Sequence, residues 1–106
     1  TRGKKLVSGV VSDFEFDPTK FEFEPVDDED IKGQDPKYNA EILKRVLSGV
    51  RCKQRGIVVA NAAIGYSLVK DIGIAEAKIA IEDALDNKVV EGKYLKLIER
   101  SNSIWQ

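Results

Sequence analysis

Apolar positions follow two different periods along this chain, and the change of period divides it. Near the N-terminus Leu6, Val7, Val10 and Val11 bracket Ser8-Gly9, and Phe14, Glu15 and Phe16 then alternate apolar with polar. This pattern predicts two short strands with a turn or bulge at Gly9, forming a small hairpin or an edge strand pair. Asp17-Pro18 stops the second strand, and Pro18-Thr19-Lys20-Phe21 reads as a turn whose aromatic packs back, with Phe21 and Phe23 as anchors. From Glu24 to Gly33 the period is lost in an acidic loop, where Val26 and Ile31 are isolated apolar pins.

The helical period begins at Asp35. Asp35 suits an N-cap and Pro36 the first helical position, where its missing N–H costs nothing. Ile42, Leu43, Val46 and Leu47 form one apolar stripe, and Gly49 ends the helix. Arg51, Lys53 and Arg55 then read as a basic connector around Cys52. Ile57 to Val69 is apolar almost all round, interrupted only by Asn61, Gly65 and Ser67. Exposing even four such side chains forfeits roughly 1.5 to 3 kcal/mol each, so this second helix demands cover on most faces. Ala60, Ala62, Ala63 and Gly65 permit close approach by another element, and Ile57, Val59, Ile64 and Leu68 are expected in a surface completed partly by polypeptide outside this stretch. After the link Lys70–Gly73, a third helix shows Ile74, Ala77, Ile81, Ala84 and Leu85 on one face. Asn87-Lys88 breaks it, and Val89, Val90, Tyr94, Leu95 and Ile98 mark a fourth.

The expected fold class is α/β: a short N-terminal strand pair followed by about four helices. The organisation expected is a single partial domain, with the strand pair and acidic loop over 1–34 and a helical cluster over 35–106. At 106 residues, 42% apolar and 33% charged, the chain has material for one modest core. Its formal charge of -1, with acids and bases interspersed, provides no field for nucleic acid or an anionic membrane. No apolar run approaches the roughly 18 to 20 residues of a membrane span, and Thr1-Arg2-Gly3-Lys4-Lys5 leads into no signal-peptide core. Nucleic-acid and membrane partners are accordingly not expected. The chain has one cysteine, no histidine and no methionine. Cys52 therefore has no intramolecular disulfide partner and no plausible zinc partners, which fits a reducing compartment, and the missing initiator points to a portion of a longer protein.

Candidate chemistry is sparse. Asp27-Asp28-Glu29-Asp30 lacks the alternate spacing that converges carboxylates on calcium, and reads as a solvated loop. The bases at Arg51, Lys53 and Arg55 have no interleaved aromatics and read as a solvated connector rather than a phosphate site. Cys52 has basic neighbours but no histidine to act as its base. Asn61 reads as a buried amide bonded to nearby backbone. No Gly-rich phosphate loop, nucleophile elbow or pocketed carboxylate pair is present, so no residue is assigned to catalysis, substrate binding or metal ligation.

The order of the pieces nevertheless resembles one family. The strand pair, the Asp17-Pro18 turn ending in Phe21, the acidic loop, Lys32-Gly33-Gln34-Asp35, Asn39-Ala40-Glu41-Ile42-Leu43, Val46-Leu47-Ser48-Gly49, Ile57 through Ala63, Ala84-Leu85-Asp86-Asn87 and the final Leu95 helix closing at Ser101-Asn102 resemble the C-terminal part of the anthranilate phosphoribosyltransferases. The resemblance implies a fragment of the large α/β domain of a two-domain phosphoribosyltransferase, which joins anthranilate to phosphoribosyl pyrophosphate with magnesium in tryptophan biosynthesis. It implies homodimers through the smaller helical domain, and the remainder of the parent enzyme as the first partner of this segment. The compartment implied is the cytoplasm, or the plastid stroma for a plant member. The family's pyrophosphate loop, its Lys-His-Gly-Asn segment and its Asp-Glu magnesium pair all lie upstream of the region matched, and Asp28-Glu29 is not that pair. Magnesium thus belongs to the parent enzyme and not to this segment, which alone is expected to be inactive. Ile64-Gly65-Tyr66 and the basic run around Cys52 depart from the family pattern. These departures leave a second expectation open, a non-catalytic paralogue acting as a structural or interaction subunit in a protein complex.

Overall fold

The structure, a computed structural model, describes residues 1–105. Strands β1 (Arg2–Val7) and β2 (Val10–Glu15) form the antiparallel hairpin that the apolar pattern predicts, with Val7 opposite Val10 and Arg2 opposite Glu15. Ser8 and Gly9 make the connection with φ of 51° and 80°. Two consecutive left-handed residues give a turn whose twist matches that of the strands it joins. Lys4 pairs with Asp13 across the ladder. Thr1 and Phe16 extend the pairing: the Phe16 N–H donates to Thr1 O at 2.7 Å and the Thr1 ammonium to Phe16 O at 2.8 Å.

Asp17 ends β2 by capping a 3-10 turn, Pro18–Phe21, and accepts from the Thr19 N–H at 3.0 Å and the Thr19 hydroxyl at 2.7 Å. These two donors hold the Asp17 carboxyl below its ordinary range. The turn brings Phe21 back onto Phe16, stacked with ring centroids 5.6 Å apart, and Phe23 to 6.3 Å on a tilt. Phe16 and Phe23 are buried with Val59, Ala60 and Leu85, so the anchoring role expected of these aromatics is met, Phe21 packing against that core from its edge.

The acidic segment is not wholly irregular. Asp28–Ile31 forms a one-turn helix, α1, started where the Asp30 N–H donates to Asp27 O at 2.9 Å and the Asp27 N–H to Asp30 Oδ2 at 3.3 Å. Carboxylates near a helix start meet its unpaired N–H groups, which is how so acidic a run sustains a turn.

Helix α2 (Pro36–Leu47) starts as its sequence dictates, with Asp35 Oδ1 accepting from the Tyr38 N–H at 2.8 Å. It closes at Gly49, φ 88°, where the Val50 N–H reaches back to Arg45 O at 3.0 Å. Helix α3 spans Lys53–Lys70, α4 Ile74–Asp86 and α5 Val89–Trp105. α3 thus begins a full turn before the start expected at Ile57, and Lys53 and Arg55 lie inside it. Asp71, φ 54°, and Lys88, φ 64°, supply the left-handed corners between α3 and α4 and between α4 and α5.

α3 packs more extensively on α4 than on any other helix. Val59, Ala60 and Ala63 of α3 and Ala77 and Leu85 of α4 are buried, Ala63 and Ala77 completely. Small side chains at such a contact let two backbones approach closely. Ile57 and Ile64 are half-buried, whereas Leu68 is 49% exposed and Val69 81%. The apolar helix is therefore covered on one side only, and Leu68, expected on a surface completed partly from outside this stretch, stands exposed. Asn61 is also exposed, not buried, although its Nδ2 does donate to backbone, to Ile57 O at 2.8 Å. Among the described residues α5 buries none of its side chains, leaving Leu97, Ile104 and Trp105 open along its length. The radius of gyration, 15.9 Å, exceeds the value of about 13 Å usual for a closed domain of about 100 residues. Among the described residues no single helix is long and apolar enough to cross a membrane, and α3 and α4 are bent by 116° to one another.

The packing generates tests by chemical denaturation. A Cβ on Gly49 falls 2.8 Å from Leu85 O at a left-handed φ, so Gly49→Ala is expected to lose about 1 to 2 kcal/mol from conformation alone, with the clash adding to it. Gly92→Ala meets open space on α5 and is expected to gain about 0.5 to 1 kcal/mol. Leu85→Ala, which empties a position 3% exposed, is expected to cost about 2 to 5 kcal/mol.

Candidate functional site

Two charged runs that read as separate solvated segments in the sequence meet in space. Asp30 of α1 accepts from Lys53 Nζ at 3.1 Å through Oδ1, and its backbone carbonyl accepts from Gln54 Nε2 at 2.8 Å. The acidic run is thus tied to the first turn of α3, and Asp30 is partly buried there. The Lys53 hydrogen bond, with the Asp27 N–H second, holds the Asp30 carboxyl below its ordinary range.

Arg55 is the larger surprise. Expected in a solvated connector, it is 5% exposed, because helix α3 carries it at four-residue spacing onto the buried side with Val59 and Ala63. Its Nη1 donates to Gly49 O at 2.9 Å and lies 2.9 Å from Asp86 Oδ1. Arg51 Nη2 reaches Asp86 Oδ2 at 3.3 Å, and Lys88 Nζ donates to Ser48 O. The C-terminus of α2, the start of α3 and the end of α4 are joined through these side chains. Asp86 is held below the ordinary carboxylate range by the Arg55 hydrogen bond first and by the charges of Arg55, Arg51 and Lys88 after it. Arg55 Nη2 is buried and has no hydrogen-bond partner among the described residues.

Beside Arg55 opens a cleft of about 590 Å³. Cys52, Lys53 and Gly56 form its floor at the start of α3, Glu22 and Glu24 come from the segment after the 3-10 turn, and Lys78 and Glu82 from α4. Lys78 Nζ stands 4.8 Å from the Phe23 ring centroid and 3.6 Å from Glu82 Oε1. Cys52 is the N-cap of α3; its side chain makes no capping hydrogen bond, and its carbonyl accepts from the Arg55 N–H at 3.1 Å. Asn61 lies apart, lining a smaller and more apolar cavity of about 360 Å³ with Phe16, Pro25 and Ile64.

The sequence contains no histidine, and among the described residues no three or more Cys, Asp or Glu side chains gather as metal ligands. The acids of the Asp27–Asp30 run do not converge on one point, since Asp30 is engaged by Lys53 and by the Asp27 N–H. These residues do not fit a magnesium centre. Arg55 escaped sequence reading because its charge outweighed its phase; its spacing from Val59 and Ala63 was the available signal.

Asp86 sets a pH test. A carboxyl lowered on folding contributes stability that is complete above its ordinary value near 3.8 and is lost as pH falls through the lower folded value. Asp86→Asn is expected to lower the urea midpoint at neutral pH and to reduce the steepness of the acid limb below about pH 4. An acid limb unchanged in that variant contradicts the assignment.

Comparison with known proteins bears on the whole arrangement. The model of the glycosyl transferase family, a/b domain, matches residues 3–89. The anthranilate phosphoribosyltransferase of Methanocorpusculum labreanum is 33% identical over 99 residues, and that of Methylorubrum extorquens 31% over 99, each match covering 92% of this chain. The corresponding enzyme of Clostridium beijerinckii is 31% identical over 94 residues, 88% of the chain. The chain spans 29% of the length of the first two relatives and 28% of the third. No solved structure matches it significantly. Its strand pair followed by helices is what a piece of an α/β domain provides, and the chain belongs to the glycosyl transferase family whose a/b domain it matches.

Proposed function

We propose that this chain is the C-terminal structural part of a transferase that joins anthranilate to phosphoribosyl pyrophosphate in tryptophan biosynthesis. The observation that carries this reading is the apolar surface left unpartnered in a chain that spans 29% of its relatives' length. Leu6, Val7, Val10 and Val11 are more than half exposed on both faces of the hairpin, and Leu68, Val69, Leu97 and Ile104 continue the exposure over the helices. Such side chains stabilise a protein only when something covers them. The occupant is the remainder of the parent domain: the hairpin extends its sheet, and α3 with α5 covers one face, so that distant substrate loops are held in position. Magnesium, the phosphate-binding loops and the homodimer contact reside in that remainder, and the whole enzyme works in the cytoplasm or, in a plant, the plastid stroma.

Hydrogen exchange tests the mechanical half of this reading. Amides of β1, β2 and α5 are expected to be protected in the full-length protein and to exchange rapidly in the 106-residue chain, which is expected to associate or to melt without cooperativity. Equal exchange in both, with a monomeric and sharply melting short chain, contradicts it. Turnover tests the chemical half: the full-length protein is expected to form phosphoribosyl-anthranilate and pyrophosphate with magnesium, and the 106-residue chain to do neither this nor bind phosphoribosyl pyrophosphate. A full-length protein that folds but does not turn over is the paralogue reading, in which the departures around Cys52 mark a subunit that kept the fold without the chemistry.

A further inference from the structure

We propose that the residues leading into Thr1 in the parent protein lie across the apolar cavity between the hairpin base and α3 and seat a side chain in it. This inference rests on the reading above, in which polypeptide of the parent domain precedes Thr1, and it names the part of that polypeptide that covers this surface. The cavity, of about 360 Å³, is walled by Phe16, Phe23, Pro25 and, from α3, Ile57, Ala60 and Ile64, and Thr1 itself lines it. Phe16, Phe23 and Ala60 are buried, but Ile57 and Ile64 stay half-buried and Pro25 exposed, so this flank of the aromatic core is unfinished among the described residues.

The course of the backbone at Thr1 supplies the occupant. Thr1 and Phe16 exchange both backbone hydrogen bonds, at 2.7 and 2.8 Å, which makes them a hydrogen-bonded pair of the antiparallel ladder. A Thr1 peptide N–H, in place of the ammonium, keeps the bond to Phe16 O, so the chain arrives at Thr1 extended and in line with β1. The ladder cannot follow it further back. Such pairs recur at every second residue, and the next one falls to Pro18, which has no N–H to donate and opens the 3-10 turn. Pro18 also lines the cavity, so the incoming chain is released from its pairing beside the space it would fill. At about 3.3 Å per extended residue, roughly six residues more than cross a space of this size, and the occupying side chain belongs to that run. A charged side chain would lose its hydration against Phe16, Phe23, Ile57 and Ile64, so the wall selects an apolar or aromatic one. Seated there, it fixes the point at which the parent chain enters this region relative to α3.

The test is made on the full-length protein with its isoleucine methyl groups labelled for NMR. Nuclear Overhauser contacts are expected from the Ile57 and Ile64 methyls to an apolar or aromatic side chain in the run before Thr1. Disulfide trapping checks the same seat. In a Cys52→Ser background, Asn61→Cys, at an exposed position lining the cavity, is combined with a cysteine at each position of that run in turn, and at least one pair is expected to oxidise in protein that melts as the parent does. Turnover of the same preparation reads the transferase assignment separately. A full-length protein that forms phosphoribosyl-anthranilate, but whose Ile57 and Ile64 methyls contact only other parts of the chain or none, overturns this inference and leaves that reading standing. The expected contacts in a protein without turnover uphold the inference and overturn the catalytic reading. A natural protein that begins at Thr1 overturns both.

Discussion

The contact between α3 and α4 is the constraint on which the rest of this structure depends. Ala63 and Ala77, both wholly buried, keep the two helices close, and Val59 and Leu85 fill the space beside them. Every other element is referred to that pair. The aromatic cluster of Phe16 and Phe23 closes on Val59, Ala60 and Leu85, which fixes the base of the hairpin, while Arg55, paired with Asp86, fastens one end of the same contact to the Gly49 carbonyl that follows α2. A buried guanidinium is costly unless it is paired, so Arg55 gives that end of the interface a defined arrangement rather than mere adhesion.

Charge in this chain therefore shapes the structure at a few points. Three carboxyls are lowered, and each marks a junction: Asp17 where the strand gives way to the 3-10 turn, Asp30 where α1 meets α3, and Asp86 where the end of α4 meets the start of α3. In each the first cause is a hydrogen bond from a specific donor rather than general attraction. The remaining charges, such as Lys4 and Asp13 on the hairpin, stand in solvent where pairing contributes little.

Local signals made most of the fold legible. Ser8-Gly9, Asp17-Pro18, Asp35-Pro36 and Gly49 act within a few residues of themselves, and each ends or begins an element where its chemistry says it must. What escaped was decided at a distance. The burial of Arg55 goes with its pairing to Asp86, far along the chain at the end of α4, and to the Gly49 carbonyl just past α2. The docking of the α1 turn on α3 runs through Asp30 meeting Lys53. Asn61 reads as a buried amide because its neighbours in sequence are apolar, yet the helix turns it to an exposed position. The donors and carboxylates of the cleft were visible as residue types, but their state of engagement is a property of the folded pairs.

The hairpin has a further consequence. β1 and β2 make a sheet of two strands among the described residues, so each leaves an outer row of N–H and C=O groups without a ladder partner there, beside side chains as greasy as Leu6 and Val11. A truncated translation product containing this region would display two sticky borders to any extended peptide it met.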